Sequence, residues 1–354
     1  MPRGWPTFSM QRRLCCLLAG LLLLTLPGGC QQGKTAGTLY LSGETMGTTW
    51  SVAMLPNPSG TGTAGLEQRL QERLDQINGL MSTYDPESEI SRFNNQASTD
   101  WFTLSEETAE VIALSLEVSA LTGGAFDISV GPLVELWGFG ATARNDRIPS
   151  AAQVRHALAS VGYEKIRLRR QPAAVSKQVP GLRIDLSAVG KGYAVDALAE
   201  LLMQQGISNF LVEVGGEIKV SGQRGAGAPW RVAIEKPLED TREVDTIFPL
   251  TGTAVATSGN YRNFYVENGQ RYVHTIDPAS GRPVSHKLAS VTVLDQTCAR
   301  ADALATALMV LGEEKGRQLC ERHHIAAYFL ILENMSLVVY ESPAFQLLTG
   351  DVKR

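Results

Sequence analysis

Apolar residues recur at Leu66, Leu70, Leu74, Ile77 and Leu80, with Glu, Gln and Arg between them. This spacing lays one apolar stripe along a helix, so an amphipathic helix is predicted here. A second helix is predicted from Ser105, which is followed by Glu106 and Glu107 and closed by Gly123-Gly124. A third, shorter one runs from Ser150 to Val161 and stops at Gly162. Ahead of them, β-rich runs at residues 38–41 and 48–55 flank a turn over 43–47, and residues 56–65 read as a Pro/Gly/Thr-rich loop.

The C-terminal half repeats a pattern. Residues 181–186 read as a strand, 192–205 as a helix closed by Gly206, and 209–214 and 217–221 as paired strands. Residues 289–294 are again a strand, 300–311 a helix with a second helix behind it, and 326–332 and 336–340 paired strands. The expected fold is α+β: duplicated β-α-β-β units, related by a pseudo-twofold, with largely antiparallel sheets flanked by helices. A doubly wound parallel fold is the weaker alternative, because no GxGxxG follows a first strand.

The chain has 354 residues and is 44% hydrophobic, enough for two domains or one large one. Its net charge of −4 argues against general nucleic-acid binding, since there is no basic excess to replace phosphate counterions. One long apolar run, residues 14–26, follows Arg12-Arg13. It is too short to span a ~30 Å hydrocarbon core, so it reads as a signal peptide. The stretch Leu26-Pro27-Gly28-Gly29-Cys30 resembles a bacterial lipobox, with Pro27 in place of the usual small residue. The expected organisation is a signal peptide over 1–29, a tether over 30–38 lipidated at Cys30, and one domain over 39–354. An oxidising compartment would permit a disulfide between Cys298 and Cys320, which the sequence leaves open. His323-His324 reads as a helix end rather than a zinc site.

Several residues have side chains suited to chemistry. Asp185, Ala188, Gly190, Lys191 and Gly192 lie where a strand is predicted to run into a helix. Free N–H groups, two glycines and a lysine there suit phosphate, or equally a tightly packed turn. Asp302 and Thr306 stand four apart on one helical face. They could hold a hard cation such as Mg²⁺. An acid favoured by the helix dipole, with a threonine bonded back to a carbonyl, is the commoner use of that pair. Tyr84 follows an amphipathic helix, Asp127 follows the Gly123-Gly124-Ala125-Phe126 stop, and His274 is a lone histidine in a β segment. Taken singly, each fits a structural role as well as a ligand contact.

In chain order the sequence carries ETMGTTW, MSTYDPESEISRFN, TGGAFDISVGPLVELWGFG, IDLSAVGKGYAVD, VEVGGEIKVSG, ATSGNYRNFY, YVHTIDPASGRPV and CARADALATALMVLG. Together these strings resemble the ApbE family, flavin transferases that move FMN from FAD onto a threonine of a target protein. The resemblance implies that Met46 and Tyr84 contact the flavin end of FAD and that Ala125, Phe126 and Asp127 line the cofactor. It implies FAD contacts at Asp185, Lys191 and Ile276. It also implies Mg²⁺ held by the Ala188 carbonyl, Asp302 and Thr306, with His274 as proton acceptor or phosphate ligand. FAD is then a substrate: the threonine hydroxyl attacks the flavin-side phosphorus and AMP leaves. The implied setting is the periplasmic face of a bacterial membrane, the inner more than the outer, with the chain lipid-anchored. The implied acceptors are membrane redox subunits of sodium-translocating NADH:quinone reductase or Rnf type. An FAD pyrophosphatase giving FMN and AMP is one rival reading, and a non-enzymatic flavin-binding lipoprotein is the other.

Overall fold

Alternating side chains build the central sheet. In the computed structural model, which describes residues 37–55, 64–142, 148–239, 241, 243–334 and 336–350, eight strands pair in strict chain order. They are β1 (Leu39–Thr45), β2 (Thr48–Met54), β3 (Phe210–Val214), β4 (Glu217–Ser221), β5 (Ala254–Gly259), β6 (Leu288–Asp295), β7 (Ala326–Glu333) and β8 (Ser336–Glu341). Every pairing among them is antiparallel, so the parallel alternative is excluded. The predicted signal peptide, Cys30 and most of the tether lie outside the described residues.

The fold is α+β with mostly antiparallel sheets, as expected, and the second β-α-β-β unit forms, but the first unit lacks its predicted opening strand. Helix α1 (Leu66–Met81) and helix α2 (Glu106–Leu121) form as the periodicity indicates. The strand predicted over 181–186 does not form, and only Arg183 bridges Val130 there. Side chains and a loop take the hydrogen bonds that a ladder would need. The Ile184 N–H donates to Asn94 Oδ1 at 2.7 Å, and the Asp185 N–H donates to the Ile128 carbonyl at 2.7 Å. The helix that follows, α3 (Ser187–Gln204), starts five residues earlier than predicted. Each half is therefore hairpin–helix–hairpin: β1-β2, α3, β3-β4, and then β5-β6, α4 (Cys298–His323), β7-β8. The first half has its opening hairpin far upstream, because the chain leaves the sheet at Met54 and returns at Phe210.

On β2 and β3 the cross-strand pairs Trp50/Val214, Val52/Val212 and Met54/Phe210 are all buried on the helix-covered face. They join Leu66, Leu70, Leu74 and Ile77 of α1 and the alanine-rich faces of α3 and α4 in the main core. Burying each large apolar side chain contributes about 1.5–3 kcal/mol. On the opposite face Val255, Leu294 and Tyr328 pack beneath Trp230, Phe248 and Phe345, which belong to an added hairpin and a short C-terminal helix. Helix α4 kinks at Gly312 (φ 75°), which produces the second helix the sequence predicts. It ends at His323, with His324 left-handed beyond it, and Cys298 and Cys320 are both buried free thiols. Among the described residues no helix is long and apolar enough to cross a membrane.

Candidate functional site

The second turn of α3 meets the first turn of α4 backbone to backbone, which glycine alone allows. A Cβ on Gly192 would lie 2.7 Å from the carbonyl carbon of Cys298 and 2.8 Å from the Cα of Ala299. At this seam the Gly192 N–H donates to Asp302 Oδ2 at 3.0 Å. Helical geometry aims the same N–H at the Ala188 carbonyl, so that carbonyl and the Asp302 carboxylate converge. Thr306 lies one turn further along α4, half-buried. Burial pushes the Asp302 carboxyl up, while Lys191 and the Gly192 N–H pull it down. These oxygen donors fit a hard cation such as Mg²⁺, which binds through one or two carboxylates and retains water and phosphate oxygens. Among the described residues no three His, Cys, Asp or Glu side chains cluster as a metal site, so one carboxylate with neutral oxygens is the fitting set. Asp196, on α3, accepts the Ala299 N–H at 3.0 Å and the Lys219 ammonium at 2.6 Å, which anchors the start of α4.

Lys191 adds the positive charge. Burial opposes that charge, but the fields of Asp302 and Glu217 outweigh it and hold the ammonium protonated. Its Nζ lies 2.6 Å from Glu217 Oε1. Glu217 is buried, and its other oxygen, Oε2, has no hydrogen-bond partner among the described residues. Burial pushes Glu217 up to about 7; Lys191 pulls the other way and Asp302 adds to the rise. The β3–β4 turn lies over the lysine stem: a Cβ on Gly215 (φ 60°) would sit 3.1 Å from Lys191 Cδ.

His274 joins this group electrostatically. Burial lowers its pKa, the Asn263 carbonyl opposes that, and Lys191 lowers it further. Its Nδ1 lies 3.1 Å from the Asn263 carbonyl oxygen. An acceptor there fixes the neutral ring with its proton on Nδ1 and leaves Nε2 able to accept one. Asn260 braces this segment, taking the Thr275 hydroxyl at 2.7 Å on Oδ1 and donating to Met309 Sδ on α4 at 3.0 Å.

Tyr84 is 64% exposed, so it is not a core residue. Its hydroxyl donates to the Phe139 carbonyl at 3.3 Å, and burial, then Asp185 and Glu135, raise its pKa. Asp185 accepts the Ser187 N–H at 2.8 Å and so opens α3. Met46 occupies the two-residue β1–β2 turn with φ 51°, followed by Gly47 at φ 69°. A non-glycine residue there costs roughly 1–2 kcal/mol and persists where surrounding structure imposes it.

The other predicted contacts are buried. Ala125 and Phe126 are buried, Phe126 within the main core. Asp127 is saturated by the Ser129 N–H at 2.7 Å, the Ser129 hydroxyl at 2.6 Å and the Tyr163 N–H at 2.8 Å. Ile276 packs into a small separate core with Leu133, Trp137, Val154 and Val161. A cleft of 660 Å³ lined by Pro132, Glu135, His156 and Gly181 contains none of the predicted site residues. Glu217, Asn260 and Asp196 were not singled out from the sequence. Each lies in one of the family-like strings, and that is the only signal they give.

The profile of the ApbE family matches residues 46–329. The chain is 42% identical to the FAD:protein FMN transferase of Vibrio cholerae serotype O1 over 329 residues, covering 93% of this chain and 96% of that one. It is 41% identical to the Escherichia coli K12 protein of the same name, covering 94% and 96%. The solved flavin transferase ApbE from Vibrio cholerae superposes with a TM-score of 0.82 at 40% identity, over 88% of this chain and 99% of that one. With full-length likeness in sequence and in fold, the chain belongs to the ApbE family.

Proposed function

We propose that this protein transfers FMN from FAD to a threonine hydroxyl of a target protein, releasing AMP, with Mg²⁺ held by the Ala188 carbonyl, Asp302 and Thr306. Flavin transfer from FAD to protein is the activity named for its relatives at 41–42% identity over nearly the whole chain. The observation that carries the finer reading is the convergence of the Asp302 carboxylate and the Ala188 carbonyl on one N–H, with the Lys191 ammonium alongside.

When bound, the cation neutralises diphosphate charge and activates the flavin-side phosphorus. The protein's own residues position the reactants and move the proton. The Lys191 ammonium and the N–H groups that open α3 face the diphosphate. Tyr84, an exposed aromatic, offers a stacking face for the isoalloxazine. Met46 and the backbone of the segments holding Ala125 and Ile276 border the same ligand. His274 Nε2 accepts the threonine proton as the hydroxyl oxygen bonds to the flavin-side phosphorus. The bond from that phosphorus to the bridging oxygen breaks, and AMP leaves with the electron pair. Excluding water favours the protein hydroxyl over hydrolysis.

The same reading places the catalytic domain, residues 39–354, on the periplasmic face of a bacterial membrane. There it is tethered through residues 30–38 by a lipid on Cys30 after loss of residues 1–29. Its acceptors are membrane redox subunits of sodium-translocating NADH:quinone reductase or Rnf type. The test is incubation with FAD, Mg²⁺ and such an acceptor domain, followed by denaturing electrophoresis. Flavin fluorescence on the acceptor band and free AMP are expected. Free FMN with a dark acceptor band would indicate a pyrophosphatase, and intact FAD throughout would indicate a binding protein.

A further inference from the structure

We infer that Glu217 is a positioning residue that holds the Lys191 ammonium off Asp302 and so keeps that carboxylate open for the cation. The inference rests on the cation reading above. Lys191 is adjacent in sequence to Gly192, whose N–H is bonded to Asp302, so the lysine has two buried carboxylates within its field. It pairs with Glu217 at 2.6 Å. The Gly215 backbone over its stem guides it there. Glu217 Oε1 meets Lys191, and among the described residues Oε2 meets no partner. The ammonium is partly exposed, with 31% of the lysine side chain open to solvent, yet without its counter-ion it is drawn to the other carboxylate whose field acts on it. Without Glu217 that carboxylate is Asp302, and a lysine paired with Asp302 competes with a metal for the same oxygens. The strand residue thus separates two jobs, with the lysine assigned to one acid and the cation to the other.

A simple stabilising ion pair makes a different prediction, so a variant cycle separates the two. Mn²⁺ alone, titrated into the full-length protein and followed by the spin-resonance signal of the free ion, reports cation affinity without any turnover. Glu217→Gln should weaken Mn²⁺ binding by about 10–100-fold, the range usual for losing a partner behind a metal ligand. Lys191→Met should bind at least as tightly as the parent. The double variant, Glu217→Gln with Lys191→Met, should return to within a few-fold of the parent, because no lysine remains to occupy Asp302. Unchanged affinity in Glu217→Gln, or a double variant as weak as the single one, overturns the inference while leaving the cation site standing. A parent that does not bind Mn²⁺, or an Asp302→Ala variant that binds as the parent does, removes the cation reading and this inference together. Thermal melts accompany each variant. If Glu217→Gln does not fold, the double variant, neutral at both positions, carries the test alone, and weakened binding in it is the overturning result.

Discussion

Gly192 of α3 and Cys298 of α4 touch backbone to backbone: a Cβ on the glycine would lie 2.7 Å from the cysteine's carbonyl carbon. The obstacle is main chain, which cannot swing aside as a side chain would. Gly192→Ala should therefore destabilise the fold by about 1–3 kcal/mol or more, as overpacking does. Gly190, two residues earlier, has nothing within 4 Å of its Cβ position. Gly190→Ala should raise stability by roughly 0.5–1 kcal/mol through better helix propensity. Urea unfolding of the two variants checks the contrast, and equal effects would show that the helices do not meet as described.

Asp302→Ala should abolish most cation-dependent transfer while circular dichroism stays unchanged. The residue is buried but, among the described residues, its side chain takes a single hydrogen bond, from the Gly192 N–H. Its loss removes the carboxylate proposed to hold the cation without opening a large cavity. Full activity of the variant, or parent activity that survives EDTA, would separate Asp302 from the reaction.

Tyr84→Ala should weaken FAD binding by roughly tenfold, since aromatic stacking is worth ~0.5–1.5 kcal/mol beyond the area it buries. A ring this exposed adds little to the core, so the melting temperature should hold. Calorimetric titration with FAD tests the first expectation and a thermal melt the second. A large fall in melting temperature with FAD affinity intact would reassign Tyr84 to structure.

His274→Ala should slow single-turnover transfer by about 10²–10⁴-fold and change FAD affinity only a few-fold. The pH profile follows from the direction of its shift. Burial and Lys191 hold its pKa below the usual ~6.5, so neutral imidazole, the form that accepts a proton, dominates at neutral pH. The ring's contribution should be flat above pH ~6.5 and decline as acid protonates it, separately from the loss that protonation of Glu217 at about 7 would bring. The profile of the variant should lose that acid limb. Transfer at the parent rate in the variant would exclude His274 as the base.

What could be read from the sequence was local. Asp302 and Thr306 share a helical face at a fixed spacing, so their pairing is visible without a fold. The edges of α1, α2 and the β7-β8 hairpin follow from periodicity and caps, whereas β5 carries no pattern that marks it as a strand. The start of α3 was misplaced because Gly190 and Gly192 read as a loop by propensity, whereas Gly192 is required by contact with a helix more than a hundred residues later in the sequence. Residues 181–186 carry a strand's composition, but Asn94 supplies the hydrogen bonds that another strand would have supplied. Glu217 sits in an ordinary strand position, and nothing in its spacing reveals that Lys191 meets it there. Ile276 and Phe126 lie in strings that mark the family, yet their side chains build core. Such strings locate a segment without telling which of its atoms faces the ligand.

The long excursion between Met54 and Phe210 has a consequence for how the molecule is made. In the second half every sheet partner arrives soon after the strand before it, so that half can close on nearby contacts. The opening hairpin of the first half has no such neighbour. As the chain emerges, β2 presents an unpaired edge until β3 is synthesised, after α1, α2 and α3 have all been made. Pairing distant strands is slow because loop-closure entropy is lost before contacts repay it. An exposed, half-apolar strand edge also invites association with other chains. The β2 edge of the N-terminal hairpin therefore waits longest for its partner, and truncation anywhere before Phe210 leaves that edge unpaired.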